Sequence, residues 1–506
     1  MDVISPHSYW NETLSAAPRR YPQLDRDTQT DVAIIGAGIT GLTAAMHLKN
    51  AGRRVVVLEA GRVGAGTTGG TSGHLDGHPE QGARQLIRDF GEPSARIVTL
   101  GRMAAIAQIE SWSRAFAFDS GFRRVPAYIY SETAEGAAEL KADADAARLL
   151  GLVATPVVKV EIPFANFGGY RIENQARFHS LRYLSALAAR VHGDGCTIYE
   201  HTRVKPPNDG SPCTIETESH TVTADDVLVC THFAFLGRSQ FDMKIAPYQS
   251  YVMAVRVNDD FPDALFWDDA DPYHYIRRAS SNDPQLLLIG GADHKTGQGG
   301  DERESFHQLE SYARGRFSVQ AIEQHWSAEF FEPADGLPFI GRVPLTKHLH
   351  VGTGYSGVGL TFGTLAGQLL SDILMDRTSD LAEILSPSRL KPIAAGGALL
   401  SENLNAARHY LMDRFRGESI ESLDEIAIEE GKLVQFRGGQ WAVYRDGAGA
   451  VHAFSPVCPH MGCHVQWNEA EKTWDCPCHG GRFSALGERL YGPPAGDLKR
   501  QPLGEF

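Results

Sequence analysis

The sequence predicts an α/β architecture, α+β in part, closed by a small all-β domain at the C-terminal end. Three observations predict it. Apolar residues 32–35 run into Gly36-Ala37-Gly38-Ile39-Thr40-Gly41, a helical stretch at 42–50 and a second apolar run at 55–58, the order of a βαβ unit. Residues 245–295 are β-rich, with aromatic residues alternating at Tyr248, Tyr251, Tyr273 and Tyr275. Beyond about residue 420 the chain breaks into short strand-like runs between Gly and Pro turns.

At 506 residues the chain is long enough for about three to four domains or subdomains and buries a core without staples. With 42% apolar and 22% charged residues, intrinsic disorder, collagen and a small disulfide scaffold are excluded. Lys plus Arg number 48 and Asp plus Glu 62, a formal charge of −14, which argues against nucleic acid as a partner. The opening MDVISPHSYWNETL has no basic region followed by an apolar stretch, so no signal peptide is read. The most membrane-like stretch, 350–375, is interrupted by six glycines and reads as a loop plus a buried helix. No membrane span and a cytoplasmic location are expected.

Residues 1–30 are a polar, irregular lead-in with Pro6, Pro18 and Pro22. Residues 31–380 hold the βαβ unit, a mostly helical region at 80–190, strands at 195–235, a sheet at about 240–330 and a strand–turn–helix over 349–375. Residues 381–420 form a helical connector. In it Leu404, Ala407, Leu411 and Phe415 recur at helical spacing, which predicts a helix packed on a neighbour and stopped near Gly417. Residues 421–506 form the small β domain.

The GxGxxG spacing follows a strand, opens a helix and precedes Glu59 at the end of the next strand, the context of a dinucleotide site. Gly36 permits the tight turn, Gly38 lets a pyrophosphate approach the backbone, and Gly41 lets helix and strand pack closely. The helix N-terminus then faces the phosphates. Glu59 would accept hydrogen bonds from ribose hydroxyls and repel a 2′-phosphate, which disfavours NADP. The alternative is a glycine turn without a ligand. Of two further matches, Gly64 to Gly69 is not followed by an obvious amphipathic helix and Gly352 to Gly357 lacks another strand ending in an acid, so no second dinucleotide domain is read.

The N-terminal 380 residues resemble the D-amino-acid-oxidase-like FAD oxidoreductase family, which includes glycine, sarcosine and polyamine oxidases. The resemblance is carried by VAIIGAGITGLTAAMHL, by Glu59 followed by GAGTTGGTSG, by Phe178, His179 and Ser180 before a helix, and by DGLPFIGR (335–342) leading into HVGTGYSGVGLTFGTLAG (350–367). Ser8, Tyr9 and Trp10 resemble the polyamine-oxidoreductase branch. The resemblance implies an FAD-binding Rossmann-type domain interleaved with an antiparallel β-sheet substrate domain. FAD would be held by Gly36, Gly38, Thr40, Gly41, Glu59 and Ala60, and by Gly66, Thr67 and Thr68 near the pyrophosphate and ring. Val204 would meet the adenine. Gly354, Ser356, Gly357, Gly359 and Thr361 would approach the pyrimidine edge of the flavin, where backbone N–H groups favour negative charge on the reduced ring.

Seven cysteines include three scattered ones, Cys196, Cys213 and Cys230, and four within 21 residues. Cys458-x-His460 is followed, after fifteen residues, by Cys476-x-x-His479. Two Cys and two His suit tetrahedral zinc. One Cys and one His from each knuckle also suit a cluster with two thiolates on one iron and two imidazoles on the other. Residues from about 420 to 506 resemble the Rieske [2Fe–2S] domain. That resemblance implies Cys458 and Cys476 on one iron, His460 and His479 on the other, a disulfide between Cys463 and Cys478, and a covering loop at Gly492-Pro493-Pro494. The sequence departs from the family where a Ser and an aromatic hydroxyl usually follow the second His. Gly481 and Phe483 stand there, so two hydrogen bonds that stabilise the reduced cluster are missing, and a lowered potential is expected.

A flavin takes two electrons as hydride and a [2Fe–2S] cluster takes one at a time. Both in one chain suggest oxidation of a C–N bond in an amine or amino acid, with single electrons relayed to an external carrier, ferredoxin-like or other, and O₂ a poor acceptor. Reversed flow, from a carrier through the cluster to FAD, is the runner-up, and a redox-sensing module is a third reading. A Rieske oxygenase is disfavoured because the domain order is reversed and no DxxHxxxH-type site is found. Catalytic candidates are few: Tyr251, His274, Tyr275 and Arg277, with Tyr248 and Tyr273 as further members of an aromatic cage and Arg277 or Arg278 as a carboxylate clamp. The same aromatics would equally fill a sheet core. His74 follows the Thr-rich loop and is weighed for covalent flavin attachment, although its spacing from Glu59 differs from that of the covalent relatives.

Overall fold

The computed structural model describes residues 8–14, 18–116, 118–236, 241–413, 417–420, 422–436 and 439–502. Pro6, His7 and Phe415 lie outside the described residues.

The first sheet grows from the buried run at the end of Thr28–Ile35, which leaves no solvent-facing side and therefore needs neighbours on both edges. It pairs in parallel with Val55–Leu58 on one edge, Val32 opposite Val55, and with Thr221–Val229 on the other. The seven strands run in the order Phe339–Arg342, Leu349–Thr353, Thr221–Val229, Thr28–Ile35, Val55–Leu58, Cys196–Tyr199, with Cys213–Glu216 paired beside Thr221–Val229. Helices Ile39–Asn50 and Gly359–Leu374 cross on one face. A Cβ at Gly367 would sit 2.6 Å from the Thr40 carbonyl oxygen, so only glycine allows that approach.

The second sheet has nine strands. Its main path runs Val319–Pro333, Ile245–Val257, Leu286–Lys295, Tyr275–Arg278, Leu265–Asp268, Arg123–Tyr130, Gly169–Arg177, His74–Leu75, and Ala154–Val157 pairs with Gly169–Arg177. The sheet is therefore not confined to 240–330, and the mostly helical range 80–190 also contributes three of its strands, Arg123–Tyr130, Ala154–Val157 and Gly169–Arg177. Arg123–Tyr130 buries Val125, Ala127 and Ile129 at a period of two, but it sits between long helices, where Pro126 and small residues obscure the alternation. The lead-in is not wholly irregular either: Tyr9–Glu12 form a helical turn, and Trp10 is fully buried, donating its indole N–H to the Thr71 carbonyl.

The connector is the helix Pro392–Met412. Its inward face differs from the expected stripe. Leu404 is 61% exposed and Ala407 is exposed. Contacts are instead made by Glu402, which pairs with Lys295, by Asn405, bonded to Gln298, and by Ala406, whose carbonyl meets the Cys478 sulfur. The C-terminal part holds two four-stranded sheets, one from Glu418–Ser419 to Val451–Phe454 and one from Gln466–Asn468 to Arg489–Tyr491. No helix among the described residues is long and apolar enough to cross a membrane.

Candidate active site and metal centre

A cavity of about 1030 Å³ lies between the two large sheets and reaches the C-terminal domain. Gly36, Gly38, Thr40, Glu59, Ala60, Gly66, Thr67, Thr68, Val204, Ser356, Gly357 and Gly359 line it. Three of the predicted positions stand behind the wall. Gly41 packs so closely that a Cβ would overlap the Gly36 carbonyl oxygen. Gly354 turns at φ +75° against Pro333, and Thr361 is buried with its hydroxyl donating to the Val358 carbonyl. Glu59 accepts from the Ala37 and Gly61 N–H groups at 2.8 Å each, and burial raises its carboxyl above the usual range. A Cβ at Gly36 would lie 2.5 Å from the Cys230 carbonyl oxygen, whereas at Gly66 it would meet nothing within 4 Å. This cradle, tight behind and open in front, fits a dinucleotide pyrophosphate.

Among the catalytic candidates, only Tyr275 lines the cavity. Ser250 and Val252 face it, so Tyr251 between them points the other way, its hydroxyl 2.9 Å from His294 Nε2. His274 is likewise turned outward, bonded to Asp268 at 2.8 Å and stacked on Tyr312. Arg277 is fully buried beneath Trp10, its guanidinium carbon 5.1 Å from the ring centroid, and Arg278 donates to the Phe261 carbonyl. Neither arginine lines the cavity as a carboxylate clamp would. Tyr273 does line it.

Sequence reasoning missed Glu80. Its carboxylate faces the cavity, accepts from the Tyr273 hydroxyl at 2.8 Å and from the Gly357 N–H at 3.1 Å, and is raised by burial. Three other cavity acids are already partnered: Asp76 with Arg102 at 2.8 Å, Asp143 with His78 and the Tyr170 hydroxyl, and Asp268 with His274.

In the C-terminal domain, Cys458 and Cys476 are buried free thiols within hydrogen-bonding reach of each other. The rings of His460 and His479 stand 5.0 Å apart and perpendicular. Nδ1 of His479 is buried without a hydrogen-bond partner among the described residues. Two sulfurs and two imidazoles on facing loops, one ring nitrogen lacking a protein partner, fit an iron pair. Cys463 and Cys478 form a disulfide that ties the loops. Cys463, Cys476 and Cys478 lie within 4.8 Å of one another, but two of them are committed to that bond, so the trio is not a ligand set. Burial lowers His479 to about 4, with the nearby Asp242 carboxylate opposing the shift.

The cluster loops touch the cavity wall. Arg489, Leu490 and Tyr491 line the same cavity as the glycine loops. Tyr491 lies near His232, with ring centroids 6.3 Å apart, and His232, lowered to about 4 by burial, donates from Nε2 to the Glu329 carbonyl.

Comparison with known proteins assigns the class. The FAD dependent oxidoreductase family profile matches residues 31–373, and the Rieske [2Fe-2S] domain profile matches residues 420–502. The chain belongs to the FAD dependent oxidoreductase family and carries a C-terminal Rieske domain. It is 31% identical over 502 residues, 99% of this chain and 98% of the relative, to a Bacillus subtilis (strain 168) protein named as a Rieske 2Fe-2S iron-sulfur protein, YhfW. It is 24% identical to gamma-glutamylputrescine oxidoreductase of Escherichia coli (strain K12), over 70% of this chain and 85% of that one. Among solved structures, glycine oxidase from Geobacillus kaustophilus has the same fold, with a TM-score of 0.59 at 20% identity, covering 72% of this chain and all of that one. FAD and a [2Fe–2S] cluster are therefore the cofactors, and the protein is an oxidoreductase.

Proposed function

We propose that this protein oxidises the C–N bond of an amine and delivers the electrons singly, through its own cluster domain, to an external one-electron carrier. The observation that carries this reading is the shared cavity: glycine loops, the antiparallel sheet and the cluster-domain strand Arg489–Tyr491 wall one space. Bound FAD would accept the hydride, and the iron–sulfur centre would pass its electrons on one at a time. The substrate loses hydride from carbon and a proton from nitrogen, and water adds to the resulting C=N bond to give a carbonyl compound and a released amine.

The chain's own residues orient the substrate. Glu80 has neutral hydrogen-bond donors in Tyr273 and Gly357, so its carboxylate can bind an ammonium group remote from the reacting nitrogen. Tyr273 and Tyr275 line the same space, where a ring face turned to the cation would add cation–π attraction. With Arg277 and Arg278 turned away from the cavity, neither is offered to an α-carboxylate, which favours amines over amino acids. The gamma-glutamylputrescine oxidoreductase relative supports the same choice. Cys196, Cys213 and Cys230 remain thiols, which suits a cytoplasmic setting. Reversed flow is the second reading, since the same shared wall serves both directions.

The test is anaerobic mixing with a panel of diamines, monoamines and amino acids, followed by the flavin absorbance. Bleaching by diamines at concentrations where amino acids do nothing is expected. Bleaching by amino acids alone would overturn the amine assignment.

A further inference from the structure

The flavin-binding part of the chain reaches across to the cluster through one carboxylate. Residues Phe241–Lys244 form a short helical turn just before the long sheet strand Ile245–Val257. Phe241 is fully buried, 5.7 Å from the ring of Phe339, and pins the turn to the first sheet's core. Asn403 of the connector helix donates to the Met243 carbonyl from the other side. Between these anchors, Asp242 is only 7% exposed, and its Oδ1 lies 3.3 Å from Nε2 of His460. The His460 side chain is 5% exposed. A buried carboxylate beside a buried imidazole is an expensive arrangement unless each satisfies the other.

We propose that Asp242 is the positioning residue of the iron–sulfur centre: it takes the outer ring N–H of His460, fixes the ring with Nδ1 toward iron, and holds the cluster's reduction potential down. A metal-bound histidine needs its second nitrogen committed to an acceptor, which sets the tautomer and the ring angle and increases ligand basicity. Negative charge near the cluster favours its oxidised form, because reduction adds another negative charge. The contact also crosses between domains. The imidazole edge of the cluster is therefore buried against the flavin-binding part rather than presented to solvent, and the same residue that tunes the cluster holds it there. The inference rests on His460 being an iron ligand.

The experiment uses the full-length holoprotein with Asp242→Asn and Asp242→Glu. Three readouts are taken: iron and acid-labile sulfide, the cluster's EPR spectrum, and its midpoint potential at one fixed pH. In the Asn variant the oxidised cluster should be disfavoured by at least tenfold, an upward shift of about 59 mV for one electron, with altered g values. The Glu variant should stay near the wild-type potential. A potential unchanged in whatever fraction of the Asn variant retains iron would overturn the proposal. Equal iron loss in the Asn and Glu variants would also overturn it, because that outcome reports packing alone. Wild-type protein without iron or sulfide would sink the ligand reading itself, an outcome separate from the other two.

Discussion

Gly480, which follows the proposed cluster ligand His479, stands directly against Glu329 in the sheet. At φ +68° it adopts a left-handed conformation, and a Cβ there would overlap Oε1 of Glu329 and come within 2.5 Å of Pro247 Cβ. Glu329 is fully buried and lines the cavity, so the cluster loop and the flavin cavity are separated by one side chain. Glycine is required both by the backbone and by the closeness of the two domains. Gly480→Ala should therefore push the cluster loop off the wall. Anaerobic stopped flow should find substrate reduction of the flavin within about twofold of wild type and cluster reduction slowed by on the order of tenfold. Equal rates in both proteins would contradict this route.

The hydroxyls missing at 481 and 483 can be restored one at a time. Phe483 is fully buried in the cluster domain core. A Cβ at Gly481 would stand 3.4 Å from the sulfur of Cys458, a proposed ligand, but Pro494 crowds it at 2.6 Å. Phe483→Tyr is the cleaner variant. A hydrogen bond to a charged group is worth about 1.5 to 3 kcal/mol, so the midpoint potential should rise by about 60 to 130 mV. The wild-type value should lie below those of Rieske centres that keep both hydroxyls. A redox titration checks both statements.

Glu80→Gln removes the charge and keeps the shape. Breaking a buried ion pair by removing one partner costs about 3 to 5 kcal/mol. KM for a diamine should rise by on the order of a hundredfold or more, with kcat changing far less. A fall in kcat at unchanged KM would show that Glu80 does not hold the cation.

Asp293 supplies a pH signature. Burial pushes its carboxyl up from 3.8 to about 7, with Glu80 adding to the shift. A carboxyl raised in the folded state binds a proton more tightly there than in the unfolded chain. Its stabilising contribution is complete below about pH 4 and is lost as pH rises to about 7. Asp293→Asn cannot titrate, so its stability relative to wild type should increase across that window and level off above it. Denaturant unfolding of both proteins at several pH values tests the sign.

What was legible in the sequence is what a short segment can hold by itself. A pyrophosphate turn needs its glycines two and three apart, and an iron knuckle needs Cys and His two or three apart, so Gly36 to Gly41 and Cys458 to His479 announce themselves. Face assignment was less secure. In a strand, a one-residue error moves a side chain to the opposite surface, and that is how Tyr251 and His274 entered the candidate list while their neighbours Ser250, Tyr273 and Tyr275 line the cavity. The pairs Glu80 with Tyr273, Asp242 with His460 and Gly480 with Glu329 join segments far apart in the chain. No local spacing encodes them. The stripe through Leu404 and Ala407 suggests an apolar inward face for Pro392–Met412, whereas this helix is held by Glu402, Asn405 and the Ala406 carbonyl.

The proposed function stands on one step, the passage of substrate electrons inside this chain from the flavin to the iron–sulfur centre. Its most direct measurement is anaerobic stopped-flow mixing with an amine that bleaches the flavin, followed at flavin and cluster wavelengths, with freeze-quenched EPR samples for the reduced cluster. The flavin should be reduced first and the cluster next, at a rate independent of protein concentration. A cluster that stays oxidised while the flavin turns over, or one reduced only in proportion to protein concentration, would contradict it.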